Sequence, residues 1–594
     1  MKGTFRGGVL VLFFVLYAVY LWVGINPALY LIKGYREFYT DLWFFRRFTD
    51  FPGYPVEYLA RLLTHCYAFP FVASIGTAVL GGAIYLLGFH TFKGSRHADW
   101  IVFLPLAVLL YLHTLYEHRI LFDLHLLSLF FFLCLFVRLL RLLSFRPFVV
   151  FPFLLAVLFY LNGIIVAGVF VVSVCLILIF RKGKSVCWFV YPLECVAVGF
   201  VFHLLFDLSV PDLHQEFVDI SRIYPFRYGP FVLYLSVCIL PVCLHGFDSY
   251  VPQENVRRLL LPAVLIILAG WRLLTFDADE RNGLAVQHYA INGQWEKALE
   301  YAAKCEYPDK DAVLLTNEAL YHTGKIYDNL FLYNQSMGSK GLLSAEISNY
   351  SEIVPNQDIF LHLGALSLSI IWGTEATNVY GANPYVLKNL VKAYLAGGYP
   401  AEAKKILNLL SHTPFQQEWV RRYQPLAGDT LLIDQDKELS ACRQAQTPVA
   451  VVSRQSAMMN LYLLSQENAL NKMAYDYLLI GSLLDNEIDN FASSLVRLKE
   501  YGYTSLPKLY LEGLIYHSLY ADRAPIRIRE FTFDESILYR FDSFRKDLLL
   551  AQQNPGQMQE WLENKYRDTY WYYILFRSQL GEEERKEAFL RIIQ

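Results

Sequence analysis

The stretch "HTLYEHRILFDLH", His113 to His125, places two acids, an arginine and three histidines between two long apolar runs. A second charged stretch, residues 26–69, carries Glu37, Asp41, Asp50 and Glu57 among Arg36, Arg46, Arg47 and Arg61, with aromatic residues interleaved. At a membrane surface, an acid can accept the proton of an attacking hydroxyl, and nearby arginines can hold a phosphate leaving group through charge-assisted hydrogen bonds. Asp41, Asp50, Glu117 and Asp123 are the candidates for the first role, and Arg46, Arg47, Arg119, Arg222 and Arg227 for the second. The plainer reading of the same residues is solvated loop ends, with aromatics anchored at the lipid headgroups.

The elements that must position these side chains are apolar helices. Of the 594 residues 55% are hydrophobic, 16% aromatic and only 18% charged, too apolar for a soluble chain of this length. Charged residues thicken sharply near Phe276, which divides the chain into residues 1–275 and 276–594. Apolar runs of spanning length predict about nine transmembrane helices, at 8–25, 70–89, 100–116, 124–143, 147–161, 163–180, 186–206, 229–247 and 259–275. The fifth and sixth form one run broken by Pro152 and by Asn162-Gly163, read as two short helices joined by a tight outer turn. Lysine and arginine recur in alternate loops, at Lys93 and Arg96, at Arg138, Arg141 and Arg146, at Arg181, Lys182 and Lys184, and at Arg257 and Arg258. The positive-inside rule then places the N-terminus in the cytoplasm and the second half outside. Residues 2–25 read as a retained first helix, since no small-x-small cleavage site follows them. Residues 26–69 read as one or two interfacial helices. Glu194 falls inside the seventh span, where an ionised carboxylate needs a partner, a wet cavity or a proton; His203, on the same helix, is similarly ambiguous.

The second half has apolar residues at spacings of three and four throughout. "AINGQWEKALEYAAKCEYP" and "NPYVLKNLVKAYLAGGYPAEAKKILNLLSHTP" each read as a helix, a glycine turn at Gly293 or Gly398, and a second helix with a small-residue face. A third pair turns near Asp485 to Asp489, and residues 334–383 fit the period poorly. The expectation is an all-α fold: a polytopic helix bundle followed by a tetratricopeptide-like array of four to six hairpins, a class that binds peptides or proteins on extended concave surfaces. His362 and His412 read as lone structural or solvated histidines, Cys305 and Cys442 as a pair with no need to be bonded, and the absence of a basic stripe excludes nucleic-acid binding.

Two resemblances add to this reading. A first helix, a long outer loop with an acid and interfacial helices, and an acid in the short loop after the third helix resemble, over residues 1–250, the layout of the GT-C glycosyltransferases. That resemblance implies a polyprenyl-phosphate-linked sugar as donor, with Asp41 or Asp50 as the first-loop acid and Glu117 or Asp123 as the second. The family's contiguous acidic pair is absent from both loops, which weakens the case for a divalent metal. The phrases "NKMAYDYLLIGSLLDNEIDNF" and "RLKEYGYTSLPKLYLEGLIYH" resemble an uncharacterised family of Bacteroidota membrane proteins. Membership would imply a Gram-negative inner membrane with the helical array in the periplasm. Two functions follow as expectations: a GT-C-like transferase acting on an acceptor held by the array, or a non-enzymatic scaffold for envelope assembly or export that recruits periplasmic proteins. A transporter is less favoured, because Glu194 is nearly alone as a central charge in the spans.

Overall fold

The computed structural model describes residues 2–35, 37–142, 147–182, 190–206, 229–248, 262–267, 270, 276–344, 353–447, 456–520, 531–552 and 555–593. It forms two compact units, Met1–Phe276 and Asp277–Gln594. Both are helical; the described residues contain no strand, only a single bridge between Ser505 and Thr532.

Among the described residues of the first unit five segments are long and apolar enough to cross a membrane: Gly7–Ile25, Pro70–Phe92, Ile120–Arg141, Val150–Phe180 and Gly229–Asp248. By that criterion the spans are fewer than the nine expected. The runs at 100–116 and 186–206 become the shorter apolar helices Ala98–Leu112 and Val190–Phe206, and most of 259–275 lies outside the described residues. Side chains such as Leu106, Leu129, Phe136 and Phe170 fill the interior, while Val11, Leu193, Val196 and Leu204 face outward and are more than half exposed. Helices apolar on both faces bury one face in protein and offer the other to lipid.

The helical stretch Pro147–Lys182 breaks at Gly163, where φ is 84° and ψ −174°. Phe151 and Phe170 stack across the break with ring centroids 5.6 Å apart, whereas one straight helix would hold them about 28 Å apart. The stretch is therefore a hairpin, as the Asn162-Gly163 dipeptide predicts. Its tip meets the first long connection: the Gly53 amide donates to the Tyr160 carbonyl at 2.8 Å, and a Cβ on Gly53 would lie 3.0 Å from the Gly163 Cα. Only glycine allows both the backbone angle and the approach. Two helices in that connection, Leu42–Thr49 and Tyr54–Thr64, bury Phe44, Phe48 and Ala60 and expose Leu42, Trp43 and Leu59. At the opposite end of the bundle, Asp248 accepts hydrogen bonds from the Ser95 hydroxyl at 2.7 Å and the Arg96 amide at 3.2 Å.

The second unit is built of helical hairpins that share one turn. Gly293, Gly324, Gly364, Gly398 and Asn486 all have positive φ between 58° and 81°. In each turn the next amide reaches back five residues, as from Gln294 to the Tyr289 carbonyl, from Lys325 to Leu320, and from Glu487 to Ser482, all at 2.8–2.9 Å. This left-handed closure satisfies carbonyls left open at the helix end. The pair Ile353–His362 and Leu366–Tyr380 falls in the region where the sequence period failed, so that region too is a hairpin. Cys305 and Cys442 are both free thiols.

Candidate functional site

The strongest polar constellation in the first unit is centred on Asp123, in the first turn of the helix Ile120–Leu142. A carboxylate there is favoured by the positive end of the helix dipole. His113 and His118 come from the turn that follows Ala98–Leu112, and all three side chains are buried. His113 Nε2 donates to Asp123 Oδ1 at 2.8 Å, and His118 Nε2 donates to Oδ2 at 2.7 Å. An ionised carboxylate only accepts, so both imidazoles carry their proton on Nε2. When neutral, His113 then has a lone pair on Nδ1, which faces the hydroxyl of Tyr17 from the first helix. The Tyr30 hydroxyl donates to the His113 carbonyl, and the Tyr116 hydroxyl to the Ile25 carbonyl at 3.0 Å.

Tyr17, His113 and Asp123 thus form a hydroxyl–imidazole–carboxylate series, in which the acid fixes the tautomer that lets the imidazole accept a hydroxyl proton. His118 differs. Burial, and then the neighbouring His113, push it down to about 4, opposed by Asp123, and its Nδ1 is buried without a partner. His113, His118 and Asp123 also offer ligand atoms within 4.8 Å of one another, a set a divalent metal can take. As described, both carboxylate oxygens already accept imidazole N–H bonds.

The surrounding polar contacts gather at one end of the bundle. Lys33 pairs with Glu117 at 3.0 Å, His125 Nδ1 meets the Tyr234 hydroxyl at 2.7 Å, and the Ser128 hydroxyl donates to Asn162 Oδ1 at 2.6 Å. The first long connection therefore closes onto the turn that carries Glu117. Asp41 and Asp50 instead bracket the helix Leu42–Thr49, at its N-cap and C-cap. Arg46 and Arg47 lie exposed on that helix, with Arg47 3.9 Å from Glu37, and Arg119 is half-buried just before Ile120. Arg222 and Arg227 lie outside the described residues. Glu194 Oε2 is buried without a hydrogen bond.

A family model described as "Family of unknown function (DUF6057)" matches residues 3–577. The chain belongs to that family. No curated protein and no solved structure matches it. Residue roles therefore rest on the geometry alone. Sequence reading selected Asp123 but assigned no role to His113, His118, Tyr17 or Tyr30. A spacing of five matches neither helix nor strand periodicity, and it is the turn before Ile120 that brings the histidines to the acid.

Proposed function

We propose that this protein is a multi-pass protein of a bacterial inner membrane that transfers a sugar from a polyprenyl-phosphate donor to a periplasmic acceptor, with a cytoplasmic N-terminus and a periplasmic helical unit. The observation that carries this reading is the Tyr17–His113–Asp123 series beneath the end of the bundle where residues 26–34 close over Glu117. In this reading Asp123 and His113 supply the proton acceptor, Glu117 orients a substrate hydroxyl, and Lys33 and Arg119 attract the donor phosphate. The hairpin array, tetratricopeptide-like in plan, presents a protein acceptor.

The test is a glycoprotein blot of envelope fractions from a deletion strain complemented with wild type, Asp123→Asn, His113→Gln, Glu117→Gln or Asp41→Asn at matched expression. Loss of glycoprotein mobility on deletion, restored by wild type but not by Asp123→Asn or His113→Gln, supports the transferase. Unchanged glycosylation on deletion removes it. The scaffold reading is favoured by the five equivalent turns, which repeat one hairpin plan as protein-binding arrays do. It predicts that the acid variants complement fully while surface changes on the array do not.

A further inference from the structure

The second unit buries a charged cluster that neither reading uses. Glu318, near the end of the helix Lys310–His322, is fully buried, and its Oε1 accepts from His362 Nδ1 at 2.7 Å. His322 Nε2 lies 3.9 Å from the same oxygen, while Glu318 Oε2 is buried with no hydrogen-bond partner. Asp358, one turn before His362, is also buried and accepts from Asn389 Nδ2 at 2.8 Å. On the far side of His362, Glu438 Oε1 lies 3.6 Å from Nε2 and 2.5 Å from Lys392 Nζ. Three acids thus surround His362, and Lys392 is the lysine in contact with them. Burial, and next the charge of Asp358, push the Glu318 carboxyl up to about 7. Burial works against a proton on His362, but its hydrogen bonds to Glu318 and Glu438 and the charge of Asp358 hold it well above the ordinary imidazole value, so a cation bound here takes the place of the proton on Nδ1.

We propose that Glu318, His322 and His362 form a binding site for a zinc-class divalent cation. Their ligand atoms lie within 4.8 Å of one another. Ligands about 2.0–2.1 Å from a tetrahedral zinc stand about 3.3 Å apart, so side-chain rotations of roughly an ångström complete the set. Glu318 and His322 are four residues apart and share one helix face, and His362 enters from the helix Ile353–His362. Two imidazoles and a carboxylate suit zinc better than magnesium or calcium. The His322 ring is stacked on Trp295 at 4.5 Å, which fixes its plane, and its side chain is 24% exposed, giving the ion a path from solvent. With Nδ1 of His362 on the ion, its Nε2–H faces Glu438, a carboxylate–histidine–metal series that orients the ligand. The lone histidine of the "LHLG" motif thus faces two carboxylates.

The test uses the full chain in detergent, stripped with chelator and dialysed against zinc, with bound metal measured by elemental analysis. Wild type should retain one more equivalent of zinc than His322→Gln or Glu318→Gln. Zinc should raise the unfolding temperature of wild type more than that of either variant. The cluster at Asp123 is common to all three proteins and cancels in the comparison. Cobalt in place of zinc should give wild type the visible bands of a tetrahedral nitrogen–oxygen site and should lose them in His322→Gln, whose position is part-exposed. Equal zinc content and equal thermal shifts in all three proteins would overturn the site, as would the absence of tetrahedral cobalt bands that depend on His322. Glycosylation plays no part in these readouts, so the site and the transferase reading can fail separately.

Discussion

Two buried acids in the second unit show what decides the fate of a carboxylate. Asp476 accepts hydrogen bonds from the hydroxyls of Tyr327 at 2.7 Å, Tyr510 at 2.8 Å and Tyr503, which oppose burial but leave its carboxyl above the ordinary value. Glu512, equally buried, accepts the Tyr570 amide at 2.8 Å, while its Oε1 has no hydrogen bond and lies 3.8 Å from Lys508 Nζ. Burial therefore raises the Glu512 carboxyl to about 8. Because the folded state holds that proton more tightly than the unfolded chain, its stabilisation is complete below about pH 4.5 and is lost as pH rises through about 8. Across that window one proton changes stability by up to about 1.4 kcal/mol per pH unit. Glu512→Gln should flatten the fall in unfolding temperature between about pH 5 and 8. A variant whose pH profile overlays that of wild type would show that Glu512 is ionised in the native state.

At the scale of elements, the repeated turn makes a sharper test than the helices it joins. Gly293 and Gly364 have the same φ, 67°, but a Cβ on Gly293 meets nothing within 4 Å, whereas one on Gly364 would lie 2.3 Å from the Ala445 carbonyl oxygen. Gly293→Ala should cost about 1–2 kcal/mol for the left-handed backbone alone. Gly364→Ala adds a collision with backbone and should cost about 3 kcal/mol or more, read by denaturant unfolding of the full chain. Equal losses would mean that the turn angle, not the packing, dominates. The same turns explain what the sequence reveals. Gly293 and Gly398 stand between clean apolar stripes and are legible, as is the pair that turns at Asn486. Gly324 and Gly364 are spaced irregularly and escape a fixed period, although their backbone closure is the same. In the first unit Asn162-Gly163 announces its turn, because few dipeptides tolerate that backbone. The Asp123 cluster is not announced in this way. Its histidines and tyrosines lie on three separate segments, and only the closure of residues 26–34 over residues 113–118 unites them.

For the whole molecule, the hairpin at Gly163 sets the sidedness of everything after it. One crossing by Pro147–Lys182 would place the later helices on the side opposite to that given by two. The hairpin tip lies against Gly53, and Asp248 lies against Ser95 and Arg96, so these mark opposite ends of the bundle. Lys93, Arg96 and the helix end that carries Arg138 and Arg141 belong to the Asp248 end. Basic residues favour the cytoplasm, so the expectation from charge is a Glu117 end outside, with the chain returning inside after Asp248. Crossing by residues 259–275 would then bring the second unit to the outer side. Fusions of green fluorescent protein and alkaline phosphatase after Gly94, after Tyr250 and at the C-terminus should read inside, inside and outside. If the C-terminal fusion reads inside with the other two, residues 259–275 do not cross. The helical unit and the Glu117 end would then face opposite compartments, and presentation of an acceptor by that unit would be impossible. If all three fusions read the reverse, the Glu117 end faces the cytoplasm and a donor on the outer leaflet is excluded. The expected pattern alone puts the acid cluster and the helical array together on the outer side of the membrane, as the transferase reading requires.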